Sequence, residues 1–196
     1  MPIFDEMRVE LMAGQFLDIH EQTQKNTDLA RSMTIARYKS GKYTIERPLH
    51  LGAVLAGDAT PALLAALSEY GLPLGEAFQF RDDLLGVFGD PSVTGKPAGD
   101  DLREGKRTAL IAMTDAKCTE AMKAESRKYF GKNDIDEKGV AILQEMIVST
   151  GAKAALETMI DDLTSQALRA IENPVIDSAG RDLLNELAMI ATKRSM

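Results

Sequence analysis

The chain has no tryptophan, a single cysteine (Cys118) and only 5% aromatic residues in 196. One thiol excludes an internal disulfide framework and fits a reducing compartment. No apolar run approaches the roughly 20 residues that a membrane span requires. The opening MPIFDEMRVELMAGQF also lacks the basic stretch and apolar core of a signal peptide, so a cytoplasmic location is expected. Basic stripes are missing too, and at a net charge of −7 nucleic acid is not expected as a partner. An acidic protein that binds a polyanion must concentrate its cations locally, which draws attention to the few clustered lysines. Strand patterns are as scarce: β-branched residues are scattered and the apolar spacing is helical nearly throughout.

What is present is an apolar content of 44% in a length suited to one domain, enough to bury about 70% of the unfolded surface. The expectation is one all-α domain over residues 1–196. A first helix runs from about Phe4 to His20, with Met7, Leu11 and Gly14 on one stripe. After a polar break, Thr27 is a candidate cap for a second helix reaching about Tyr38, with Gly41 near its end. Pro48 opens a third helix through Ala56, closed by Gly57 and Asp58. Thr60-Pro61 starts the longest element, which ends at Phe88; Gly71, Pro73 and Gly75 inside it predict a kink or short break. Further helices are expected at Arg107–Asp115, Thr119–Phe130, Asp136–Thr150, Ala152–Ile171 and Ser178–Thr192, punctuated by Gly131, Gly151 and Asn173-Pro174.

The chemistry concentrates between Phe78 and Thr108, FQFRDDLLGVFGDPSVTGKPAGDDLREGKRT. Gln79, Asp82, Asp83 and Gly86 share one helical face, a polar stripe between apolar ones formed by Phe78 with Leu85 and by Phe80, Leu84 and Val87. Adjacent carboxylates repel each other unless cations lie between them, and acids near a helix C-terminus oppose its dipole. The loop that follows carries Lys96, and Lys106 comes ten residues later. Mg²⁺ is usually held by one or two carboxylates together with substrate phosphates, and ammonium groups neutralise the remaining phosphate charge. The stretch therefore reads as a site for Mg²⁺ and a diphosphate.

This stretch resembles the second aspartate-rich region of the trans-isoprenyl diphosphate synthases, the polyprenyl synthetase family: FQ-x-x-DD, then GDP, GK, an Asp and GK-x-T. GQFLD at Gly14–Asp18 is similar to the family's GQ-x-x-D segment, and RYKSGKYT at Arg37–Thr44 to its K-[TS] segment. STGAKAALETMIDDL is similar to its C-terminal helical region. The resemblance implies an α-helical bundle of the isoprenoid synthase type, of farnesyl or geranylgeranyl diphosphate synthase kind. It implies Mg²⁺ held by Asp82 and Asp83, with Gln79 on the same face near the reacting carbons. Lys39, Lys96 and Lys106 would contact the allylic diphosphate. The implied reaction ionises the allylic C–O bond, after which the double bond of isopentenyl diphosphate attacks the cation and a proton is lost.

Two departures from the family pattern stand out. The third Asp often found three residues after the pair is Gly86 here. The first aspartate-rich motif, DD-x-x-D, lies well before GQ-x-x-D in the family, yet Met1 is only thirteen residues from that segment. The chain thus reads as the C-terminal portion of such a synthase, without its N-terminal helices. The alternative is a non-catalytic truncated paralogue, fragment or subunit of the same fold. That alternative predicts an exposed apolar patch, covered in a homodimer or by a partner supplying the missing helices. A terpene cyclase is disfavoured by the GDP…GK…GK-x-T continuation. Asp101 reads as the family's Asp of that loop and Asp100 as solvated; Asp161 and Asp162 read as surface acids, and His20 and His50 as structural or surface residues.

Overall fold

The computed structural model describes residues 2–24, 28–95 and 97–193, and every regular element among them is helical. The elements are α1 (Pro2–Gln22), α2 (Leu29–Ala36), a π-helical segment (Arg37–Glu46) and α3 (Arg47–Ala56). They continue with α4 (Pro61–Phe88), α5 (Pro91–Thr94), α6 (Asp100–Glu104), α7 (Ala109–Lys117), α8 (Glu120–Ser126), α9 (Glu137–Ser149), α10 (Ala152–Ala170) and α11 (Ser178–Thr192). Among the described residues no helix is long and apolar enough to cross a membrane.

Most helix starts follow from side-chain caps legible in the sequence. The Leu63 N–H donates to Thr60 Oγ1 at 3.2 Å ahead of α4, and Thr119, Asp136 and Asp177 accept the corresponding amides of α8, α9 and α11. Thr27 lies outside the described residues; at α2 the Asp28 carboxylate accepts the Arg31 N–H at 2.9 Å. Pro48 falls in the first turn of α3 as expected, where its missing N–H coincides with the change of hydrogen-bond register. Three expectations are corrected. Gly41 does not end the second helix, because the chain passes directly from α2 through the π segment into α3. Of the kink or short break expected at Gly71, Pro73 and Gly75, the break does not occur, because α4 is helical over all 28 residues. Finally, the helix expected to reach Phe130 stops at Ser126, where the Lys128 and Tyr129 amides bond back to Glu125 and Ser126 in tighter turns.

The chain divides into two compact units. The first comprises residues up to Asp18, Met33–Gln79 and those from Met159 onward; the second comprises Ile19–Ser32 and Phe80–Thr158. In the first unit the core gathers Ile45, Leu67, Tyr70, Leu74, Ala167, Ile171 and Leu184. Tyr70 is fully buried, and its hydroxyl donates to the Leu184 carbonyl at 2.7 Å, so the one polar atom of a large apolar side chain is satisfied. In the second unit Phe80, Leu84 and Val87 are buried, as expected for an apolar stripe at the end of α4, together with Leu102, Leu110, Leu143, Ile147 and Leu156.

Backbone contact sets the spacing between α4 and the π segment. A Cβ on Gly71 would stand 2.9 Å from the Glu46 Cα, and one on Gly75 would collide with the Gly41 Cα. The glycines that seemed to weaken α4 are thus the positions where another backbone needs the room. On helix propensity alone, Gly75→Ala would stabilise by about 1 kcal/mol. We expect instead a loss of about 2 kcal/mol in urea denaturation, since neither backbone can yield without moving a helix; a gain would contradict the contact.

A charged cluster completes the first unit. Arg47 forms a two-pronged bond to Glu10, at 2.8 Å from each oxygen, and Lys42 reaches the same carboxylate at 2.5 Å. Arg47 foremost holds the Glu10 carboxyl below its usual range. Buried His50 points Nε2 at the Leu64 carbonyl, 3.0 Å away, and Nδ1 at the Arg47 guanidinium, 3.4 Å away. The geometry suits a neutral ring with the proton on Nε2, and burial lowers its pKa below the ordinary histidine value. The unfolded chain therefore binds the proton more readily, and this contribution to stability is complete above about pH 6.5 and lost as pH falls below it. Urea midpoints measured from pH 7.5 to 5 should decline, and His50→Gln should flatten that decline; an unchanged slope would remove His50 as its source.

Candidate functional site

In the first unit, α1 and the π segment bring the GQ-x-x-D and K-[TS] segments together. The Lys39 ammonium lies 2.5 Å from Asp18 Oδ2. This approach needs Gly14, where a Cβ would stand 2.8 Å from the Lys39 backbone nitrogen and 3.0 Å from the Tyr38 Cβ. On the other side of the π segment, Ser40 donates its hydroxyl to Gln79 Oε1 at 2.5 Å. Neighbouring residues Lys39 and Ser40 are thus engaged by two different helices. Gln79 continues the row of Gly71 and Gly75, one turn further along α4. Arg37 adds a bond to the buried Glu76 carboxylate at 2.7 Å.

In the second unit, Asp83 is buried at 6% exposure and Asp82 beside it is partly exposed. Gly86 follows them on the same face. A Cβ there would fall on the Asp101 carboxylate, on Oδ2 and Cγ, with Oδ1 at 3.0 Å. Asp101, at the first turn of α6, receives the Lys106 ammonium at 2.5 Å, and Glu104 stands 3.1 Å from the same nitrogen. Burial is the strongest single influence on Lys106 and works against its charge, but the hydrogen bonds and charges of Asp101 and Glu104 together outweigh it and hold the amine well above the usual lysine range. Contacts therefore run from the acidic stripe through Gly86 and Asp101 to Lys106. Lys96 lies outside the described residues.

The GDP motif acts locally. Asp90 caps α5 by accepting the Ser92 N–H at 2.7 Å, with Pro91 at the first helical position. Asp161 and Asp162 are exposed on α10. Among the described residues no group of three or more His, Cys, Asp and Glu side chains converges as a metal site. Two adjacent carboxylates, one buried, still match the donor set of a Mg²⁺ that arrives with phosphate oxygens.

The family model for polyprenyl synthetase matches residues 1–147. The chain belongs to this family. The geranylgeranyl pyrophosphate synthase of Corynebacterium glutamicum, solved with isoprenyl diphosphate and magnesium, superposes with a TM-score of 0.94 at 41% identity, over 99% of this chain and 55% of that one. Geranylfarnesyl diphosphate synthase of Aeropyrum pernix is 33% identical over 186 residues, 94% of this chain and 57% of the relative. Farnesyl pyrophosphate synthase of Schizosaccharomyces pombe is 32% identical over 151 residues, 74% of this chain and 43% of the relative. The relatives are prenyltransferases, and the all-α fold of the isoprenoid synthases is shared. The chain spans about half the length of the curated relatives it matches.

Sequence reasoning gave roles to Lys39, Gln79, Asp82, Asp83 and Lys106 but none to Asp18 or Ser40, which meet Lys39 and Gln79 in space. No local signal links Asp18 to Lys39 across 21 residues or Ser40 to Gln79 across 39. Because the Lys39–Asp18 pair is partly exposed, Asp18→Asn should cost less than about 1 kcal/mol of stability. Gly14→Val drives a branched side chain into the Lys39 backbone and should cost about 2–3 kcal/mol. Thermal melts of the two variants check this ranking, and the reverse order would mean that the ion pair, not the close approach, holds α1 there.

Proposed function

We propose that the chain carries the allylic-diphosphate part of a trans-prenyltransferase that condenses an allylic diphosphate with isopentenyl diphosphate, with Mg²⁺ as cofactor. The observation that supports this best is the succession on and beside the end of α4: buried Asp83, Asp82, then Gly86 with the Asp101–Lys106 pair seated against it. In this reading Asp82 and Asp83 hold the metal. The chemistry a bound Mg²⁺ would supply is neutralisation of the departing diphosphate, which eases cleavage of the allylic C–O bond.

The remaining work falls to side chains that hold charge in place. The Lys106 ammonium takes up phosphate charge and, being paired with Asp101, is fixed before the ligand arrives. Lys39 contacts the diphosphate with its ammonium steadied by Asp18. Gln79 is kept in one rotamer by Ser40. No protein nucleophile is required, because the attacking electrons come from the double bond of isopentenyl diphosphate. Its proton leaves with diphosphate, so charge stabilisation and positioning carry the reaction.

A second reading, a non-catalytic portion or subunit of the same fold, has its own observation. On α1, Val9, Met12, Phe16 and Ile19 recur at helical spacing and are 65%, 70%, 68% and 56% exposed, an apolar face suited to a second copy or a partner. Two measurements separate the readings. Calorimetric titration of pyrophosphate in the presence of Mg²⁺ should show binding that Asp82→Asn and Asp83→Asn each weaken by about tenfold or more; no binding by the unmodified chain would overturn the diphosphate assignment. Incubation with isopentenyl and dimethylallyl diphosphates then decides catalysis: product supports the enzyme reading, and tight binding without product selects the second.

A further inference from the structure

In the family pattern a third carboxylate often follows the acidic pair on the same helix face, and here that position is Gly86. The space is not empty. A Cβ at Gly86 would strike the carboxylate at the end of the short Asp101 side chain. Asp101 has little freedom to retreat: its side chain is 12% exposed, Lys106 holds Oδ1 at 2.5 Å, and the Lys106 N–H donates to the Asp101 carbonyl at 3.0 Å. That backbone bond closes the turn at Gly105, whose φ of +70° reverses the chain. The next residue, Leu102, is buried, and its carbonyl receives the Gly131 N–H at 2.9 Å. The Asp101 end of the contact is therefore pinned.

We propose that Gly86 and Asp101 are a matched pair: the glycine leaves the space in which the Asp101 carboxylate seats against α4, and the seated carboxylate fixes the Lys106 ammonium beside the acidic stripe. A side chain at position 86 and this seat for Asp101 exclude one another. The carboxylate that stands against this face of α4 thus comes from α6, already charge-balanced by a lysine. Asp101 is a positioning residue that acts on a bound diphosphate through Lys106. This last step rests on the diphosphate reading above; the seat itself does not.

Two measurements on the full chain test the pair. In melting experiments Gly86→Ala should lower the midpoint by several degrees. In an Asp101→Ala background the same change should raise it by about 2–4 °C, because alanine is then only the better helix former. If Asp101→Ala does not fold, Asp101→Ser replaces it. A shift of the same sign in both backgrounds overturns the matched pair. In titrations of Mg²⁺-pyrophosphate, Asp101→Ala and Lys106→Gln should each weaken binding by about fivefold, and the double variant by no more than either alone. Additive losses would overturn the assignment of Asp101 as acting through Lys106. Failure of the unmodified chain to bind pyrophosphate would sink the proposed function, and the melts would then decide the pair on their own.

Discussion

The row Gly71, Gly75 and Gln79 on α4 meets the π segment with backbone against backbone, and the arrangement of the first unit follows from that approach. With no side chain between Gly75 and Gly41, the Ser40 hydroxyl comes within hydrogen-bonding reach of Gln79 one turn further on. The widened helix offers Lys39 to α1 at the same time, and Gly14 gives α1 the room to accept it. Three glycine contacts thus carry a charged side chain and an amide into fixed positions. Helix-interior glycine costs about 1 kcal/mol relative to alanine, a local penalty offset by the packing it permits.

The second unit repeats the principle with a carboxylate in place of a backbone. Gly86 admits Asp101, and Asp101 holds Lys106. In both units a lysine rests against an aspartate from another helix or turn: Lys39 on Asp18, Lys106 on Asp101. At Lys106, where burial opposes the charge, the acids beside the amine keep it protonated.

Much of the local structure was readable from residues with local physics. Thr60, Thr119, Asp136 and Asp177 cap helices because their side chains bond amides three residues ahead, a relation that depends on sequence distance alone. The alternation of Phe80, Leu84 and Val87 with Asp82 and Asp83 likewise separated a fully buried apolar stripe from a polar one. Gly41, Gly71, Pro73 and Gly75 misled for the converse reason. Their propensities argue for a break in the helix, but the chain stays helical through all four, with other backbone packed against Gly71 and Gly75. The short helices α5 and α6 were missed because a few residues of helix give no periodic signal.

By itself the sequence determined the all-α class, the helix caps, the acidic stripe at Gln79, Asp82 and Asp83, and membership of the polyprenyl synthetase family, because these reside in spacing and residue type. Tertiary structure alone decided that Gly86 is a seat and not simply a lost acid, that Asp18 and Ser40 hold Lys39 and Gln79, and that the glycines of α4 serve contact and not flexibility. Each of these is a relation between segments well separated along the chain or set at a turn between elements. Which groups meet there depends on how closely two backbones can approach, a quantity no local pattern encodes.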